Sequence, residues 1–194
     1  LMTGYKNNTF RPNVAVTRIQ VAKILVDALK LNIYDLSDED YARYTFKDVS
    51  EQSTSYKYIV ALGKEGIING YEDGTFKPNK NVTRGELSVM LQRAYDLIIP
   101  EQLSEKMMPF ADVPTDHPFY EAVSTMYGNA ISKGITETHF GLNLNVTRGQ
   151  MALFLYRTEN ALLKQPLYQQ HIVTFKASEL GYDGFYNVTT EGDV

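Results

Sequence analysis

Apolar residues return three times along the chain in the same helical phase. Val21, Ile24, Leu25 and Ala28 form one run, and Leu87, Met90, Leu91 and Ala94 a second. Met151, Phe154 and Leu155 form the third, with Thr158 next in phase. The spacing i, i+3, i+4, i+7 lays one apolar stripe along a helix. A shorter stripe precedes the second and third runs: Tyr56, Ile59 and Gly63 widened by Leu62, then Tyr120, Val123 and Tyr127 widened by Met126. Each helix pair carries an apolar face that one unit cannot bury alone, so the units must pack on each other.

The segment ahead of each long helix repeats as well. Gly4, Phe10, Asn13, Val16, Thr17 and Arg18 have the spacing of Gly70, Phe76, Asn79, Val82, Thr83 and Arg84, and of Gly134, Phe140, Asn143, Val146, Thr147 and Arg148. The Thr-Arg pairs stand 66 and 64 residues apart. Upstream, Phe46-Lys-Asp48-Val and Phe110-Ala-Asp112-Val each begin 24 residues before their glycine. The repeating unit is F-x-D-V, a helix, G-x5-F-x2-N-x2-V-T-R, and a second helix. Two units are complete; the first lacks its F-x-D-V and first helix.

The organisation expected is therefore repeat 1 (C-terminal half) over residues 1–36, repeat 2 over 46–100 and repeat 3 over 110–163. The acidic run Ser37-Asp38-Glu39-Asp40 lies between the first two and reads as a solvated linker or a helix start. After Leu163 the period changes: "HIVTFKA" alternates, and "GYDGFYNVTT" sets an Asp-Gly turn between aromatics. Residues 164–194 are expected to be a linker and the start of a following β-domain. The chain begins with Leu1 rather than Met and reads as part of a longer or processed protein.

Local chemistry assigns several of the repeated positions. Thr17, Thr83 and Thr147 fit helix N-caps, with Gln20, Glu86 and Gln150 three residues on completing capping boxes. Gly66 in "KEGIING" suits a left-handed helix C-cap, and a spot without a side chain also lets a ligand come close. Asp73-Gly74 marks a tight turn, imitated by Asn7-Asn8. Phe10 and Phe76 read as core plugs. Tyr5 and Tyr71 offer an apolar face and a hydroxyl, suited to a sugar or to a core edge.

The arginines resist this local account. Arg18, Arg84 and Arg148 stand at the positive end of a helix dipole, a mildly unfavourable place for a cation. One explanation is an ion pair to Asp48 or Asp112 of a neighbouring unit. The other is an external carboxylate or phosphate, held by the guanidinium and by spare amides of the helix N-terminus.

Composition narrows the classes. Hydrophobic residues make up 43% of the 194, enough for a core, and the net charge of −4 disfavours nucleic acid as a partner. No apolar run reaches the length of a membrane span. There is no cysteine, and His117, His139 and His171 are widely spaced, so no metal site or cofactor is expected. Glu86 aligns with Gln20 and Gln150, which removes a repeated catalytic acid, and no catalytic residue is assigned.

The stretch "GIINGYEDGTFKPNKNVTRGE" with its upstream F-x-D-V resembles the S-layer homology domain, whose signature is a Thr-Arg-Ala-Glu-like tetrapeptide, here TRGE, TRGQ and TRIQ. The likeness covers about Leu1–Leu163. It implies a mainly α fold, three tandem helix-loop-helix repeats in a pseudo-threefold assembly with grooves between neighbours. It also implies an extracellular module that anchors a surface protein noncovalently on the bacterial cell wall. The implied ligand is a secondary cell-wall polysaccharide carrying a pyruvate ketal, with other S-layer subunits as further partners. Carried over, the ligand-binding residues are Arg18, Arg84 and Arg148, with Gly66, Gly70, Tyr5, Tyr71, Asp48 and Asp112 around them. Repeat 3 departs from the pattern at Ala130, Ile135, Thr138 and Leu142, so the groove using repeat 2 is expected to be the most family-like. Two other classes stay open: a helical protein-interaction scaffold at the cell surface, and an accessory region of a cell-wall-glycan hydrolase.

Overall fold

The computed structural model describes residues 2–100 and 108–163. Among them are α1 (Arg18–Ala28), α2 (Asp38–Arg43), α3 (Tyr56–Lys64), α4 (Arg84–Ala94), α5 (Tyr120–Gly128) and α6 (Arg148–Leu163). The fold is mainly α, as the periodicity predicts. The expected β-like segment 164–194 lies outside the described residues. The acidic run starts a helix: Ser37 caps α2, its hydroxyl accepting from the Asp40 amide while the Asp40 carboxylate takes the Ser37 amide.

Helix pairing crosses repeat boundaries. α1 of repeat 1 packs on α3 of repeat 2, and α4 of repeat 2 packs on α5 of repeat 3. The stripes predicted from sequence form the buried faces: Val21, Leu25, Leu62, Leu87, Leu91, Val123 and Met151 are wholly enclosed. One main core runs through all three repeats, and a smaller cluster of Phe110, Val113, Val123, Phe140 and Leu142 lies under the loop of repeat 3.

A ring of backbone bonds joins the repeats at the residue before each Thr. The Val16 amide donates to Val146 O at 2.9 Å, Val146 to Val82 O at 2.9 Å, and Val82 to Val16 O at 3.0 Å. All three valines are fully buried. These bonds accompany three isolated bridges, Ala15 with Thr147, Thr17 with Asn81 and Thr83 with Asn145. Each repeat thus contacts both of the others, and the extended segments entering α1, α4 and α6 satisfy one another's polar backbone inside the core.

Candidate functional site

The first amides of the long helices are already occupied. Arg18 N donates to Lys80 O and Ile19 N to Pro78 O; Arg84 N to Leu144 O and Gly85 N to Leu142 O; Arg148 N to Val14 O and Gly149 N to Pro12 O. The next amide is taken by the cap in α4 and α6, where Glu86 N donates to Thr83 Oγ1 and Gln150 N to Thr147 Oγ1, each at 3.3 Å. In return Gln20, Glu86 and Gln150 accept from the amides of Thr17, Thr83 and Thr147 at 3.0 to 3.1 Å. These N-termini therefore hold few spare amides for an anion, contrary to the sequence expectation. The repeat contact consumes them.

The guanidinium groups cross to the loop of the following repeat. Arg18 Nε donates to Phe76 O at 2.8 Å and Nη2 to Asn69 O at 2.9 Å. Arg84 Nε donates to Phe140 O at 2.8 Å and Nη2 to Ser132 Oγ at 3.0 Å. Arg148 closes the cycle on repeat 1, with Nε on Phe10 O at 2.9 Å and Nη2 on Thr3 O at 2.7 Å. Their main partners are carbonyl oxygens, so direct pairing with Asp48 or Asp112 is not what holds them. All three arginines are buried, and none of their Nη1 atoms has a hydrogen-bond acceptor among the described residues. Burial lowers the Arg18 and Arg84 pKa from the ordinary value; Tyr71, Glu86 and Asp48 oppose this at Arg18, and Asp112 at Arg84.

The recurring aspartates hold the loops that the arginines reach. Asp48 accepts from the Phe76 and Lys77 amides at 2.7 and 2.8 Å. Asp112 accepts from Phe140, Gly141 and Leu142 at 2.8, 2.7 and 3.4 Å. Gly70 is a packing position, because a Cβ there would fall on the Phe46 ring and 3.0 Å from Thr75 O. Gly66 has φ +69° with open space where a Cβ would be, so only its backbone conformation calls for glycine. Phe76 is fully buried against Phe46, and Tyr71 and Tyr5 are half-buried at the loop edge.

One groove gathers most of the candidate residues. A cavity of about 170 Å³ is lined by Arg18, Asn69, Gly70, Tyr71, Glu86 and Arg93, with Phe119 of repeat 3 among its apolar walls. The Arg18 guanidinium carbon sits 4.8 Å from the Tyr71 ring centre and 4.7 Å from that of Phe76. The Tyr71 hydroxyl donates to Glu86 Oε1 at 3.1 Å. Lys80 Nζ bonds Glu86 at 2.6 Å and the Tyr71 hydroxyl at 2.9 Å. Burial works to raise the Glu86 pKa, but the bonds from Lys80, the Thr83 amide and Tyr71 outweigh it and hold it below its ordinary value. With Glu86 matched by Lys80, the cationic Arg18 and Arg93 leave this groove with a net attraction for anions.

The arginine facing the repeat 2 loop is thus Arg18, while Arg84 serves repeat 3. Gly66 is outside the cavity lining, whereas Lys80, Arg93 and Phe119 join the site without having been picked from sequence. Lys80 lies inside the repeated loop and Arg93 aligns with Arg157 of repeat 3, so both were open to notice; Phe119, matched by Ser55 in repeat 2, carries no repeat signal and arrives by packing. The Arg148 groove shares the stacking, with Tyr5 at 5.0 Å and Phe10 at 4.8 Å from the guanidinium. In the Arg84 groove Ile135 stands in the tyrosine's place. Its loop is also rebuilt: Asn8 and Gly74 have positive φ, but in repeat 3 that conformation falls on Gly134 rather than Thr138.

The S-layer homology domain profile matches residues 1–22, 45–88 and 109–152. The "Surface-layer 125 kDa protein" of Lysinibacillus sphaericus is 31% identical over 163 residues, covering 81% of this chain and 13% of the relative. An "Endoglucanase" of Bacillus sp. (strain KSM-635) is 35% identical over 59% of this chain and 12% of its own length. The "Cellulosome-anchoring protein" of Acetivibrio thermocellus is 27% identical over 64% of this chain and 27% of its own. The chain thus spans between 12% and 27% of the length of these relatives.

Proposed function

Because the chain belongs to the S-layer homology domain family, we propose that it binds an anionic, pyruvylated secondary cell-wall polysaccharide in the groove between Arg18 and Tyr71. The family and its surface-layer relatives locate such a module outside the cell, at the wall or S-layer. Its general role there is to anchor surface proteins to the cell wall. The ligand, the groove and the residues are our reading, and we assign this chain no catalysis.

The observation that carries it is the state of Arg18. Two of its nitrogens are fixed on Phe76 O and Asn69 O, its plane lies by Tyr71, and it lines an open cavity with Nη1 uncommitted. A preorganised guanidinium takes a carboxylate with little further ordering, at about 1.5–3 kcal/mol per charge-assisted bond. Tyr71 supplies a flat apolar edge for the sugar that carries the acid. Arg148 beside Tyr5 repeats the pairing, and two grooves on one polymer add avidity. Asp48 and Asp112 support the site by shaping its loops.

The test is cosedimentation with purified sacculi before and after removal of the pyruvate ketal. Binding is expected to fall strongly on removal. Tyr71→Ala, checked for fold by circular dichroism, is expected to weaken binding about 5–30-fold, equivalent to roughly 1–2 kcal/mol. Equal binding to pyruvylated and depyruvylated wall would overturn the proposal.

A further inference from the structure

The anion pocket is small for a polymer site. Its volume of about 170 Å³ lies under the range of about 300–1,000 Å³ typical of small-molecule sites. It has room for a compact acidic group, not for the chain that bears it. A second cavity of about 510 Å³ runs along α4 and α5, and Val89 and Arg93 line both. The two are therefore adjacent compartments of one groove.

The second compartment is built differently. It holds none of the arginine, tyrosine or glycine positions of the G-x5-F-x2-N-x2-V-T-R motif; its polar lining is Gln92, Arg93, Asp96 and Glu121, over an apolar floor that includes Leu97, Ile98 and Pro118. Gln92 Nε2 donates to Glu121 Oε1 at 3.0 Å, which fixes both side chains across the α4–α5 contact. Asn129 Nδ2 donates to Ile98 O at 2.8 Å and braces the far wall. Gln92 Oε1, Glu121 Oε2 and the Asp96 carboxylate take no hydrogen bond among the described residues. Gln92 and Glu121, oriented by their mutual bond, present acceptors beside an exposed Asp96 and over an apolar floor, which suits hydroxyl donors on an uncharged sugar. The two carboxylates disfavour a second acid there.

We infer that the α4–α5 cavity is an extension subsite that takes the neutral sugar residues following the acidic one in the wall polymer. This rests on the ligand class proposed above. Arg93 stands at the junction, between the acidic group and the first neutral residue. Repeat 3 then contributes to binding through α5 even though its own loop has lost the tyrosine.

The experiment is calorimetric titration with size-graded fragments of purified pyruvylated wall polysaccharide, from the terminal acidic monosaccharide upward. The wild type is expected to bind a trisaccharide about tenfold tighter than the monosaccharide. The double variant Gln92→Ala/Glu121→Ala is expected to keep the monosaccharide affinity and lose that gain. Both side chains lie at the surface or half-buried, and circular dichroism checks the fold. If the monosaccharide binds but lengthening it gives no gain, or the variant keeps the gain, the subsite is refuted and the Arg18 pocket stands. If no fragment binds, the proposed ligand class fails and the subsite with it.

Discussion

Gly66 and Ala130 occupy the same place in successive repeats, just after α3 and α5, and both are left-handed, at φ +69° and φ +56°. Exchanging them isolates a backbone effect. A Cβ at Gly66 would meet nothing within 4 Å, so Gly66→Ala creates no clash. An L-residue in this conformation costs about 1–2 kcal/mol. The smaller freedom of the unfolded alanine chain returns about 0.4–1 kcal/mol. The net loss is about 1 kcal/mol, and Ala130→Gly should gain a similar amount. For a domain of this size that is a melting shift of roughly 2–4 °C, down for one variant and up for the other. The double exchange should melt near the wild type, since the sites lie in separate repeats. Thermal and urea unfolding followed by circular dichroism reads all three. A Gly66→Ala variant as stable as the wild type would refute the reasoning, because no steric term is available to hide the strain. Polysaccharide binding should be unchanged, since Gly66 is not part of the cavity wall.

Gly70→Ala should destabilise by about 1–3 kcal/mol, because the new methyl drives the Phe46 ring off Phe76; a melting point unchanged within a degree would contradict the packing role. Glu86→Gln keeps the capping bond that Gln20 and Gln150 also accept but gives up the charge paired with Lys80, so it should cost about 0.5–1 kcal/mol. It should also free Lys80 and tighten binding of the anionic polymer, measured by titration at low salt; weaker binding would mean that Glu86 itself contacts the sugar. Asp112→Asn should cost about 1–2 kcal/mol at pH 7. Burial tends to raise the Asp112 pKa, but the Phe140, Gly141 and Leu142 amides win and lower it. A depressed folded pKa gives stability that is present above the unfolded value of about 3.9 and is lost as pH falls through the folded one. The gap between wild type and variant should therefore narrow below about pH 4, and a gap constant with pH would show that the charge is not what the amides use.

The repeat, the helix phases and the capping residues were legible in the sequence because each depends on neighbours a few residues away. Val21, Leu87 and Met151 had to be buried once the stripe was recognised, and Thr83 with Glu86 had to face each other across one helical turn. The arginine was legible only as an anomaly. Its unfavourable place at a helix start showed that something outside the helix held it, not what. The holders are carbonyls at Asn69 and Phe76, more than fifty positions from Arg18, and a carbonyl is present at every residue and leaves no mark in composition.

Sequence by itself therefore determined the units, their helices and the family-like loop. Tertiary structure decided which unit serves which. Because the valines before each Thr bond in a cycle, every guanidinium is delivered to the next repeat's loop. The loop most complete in sequence, that of repeat 2, consequently takes its arginine from repeat 1 and its Phe119 wall from repeat 3. A groove between units is a property of their packing, and no single repeat encodes it.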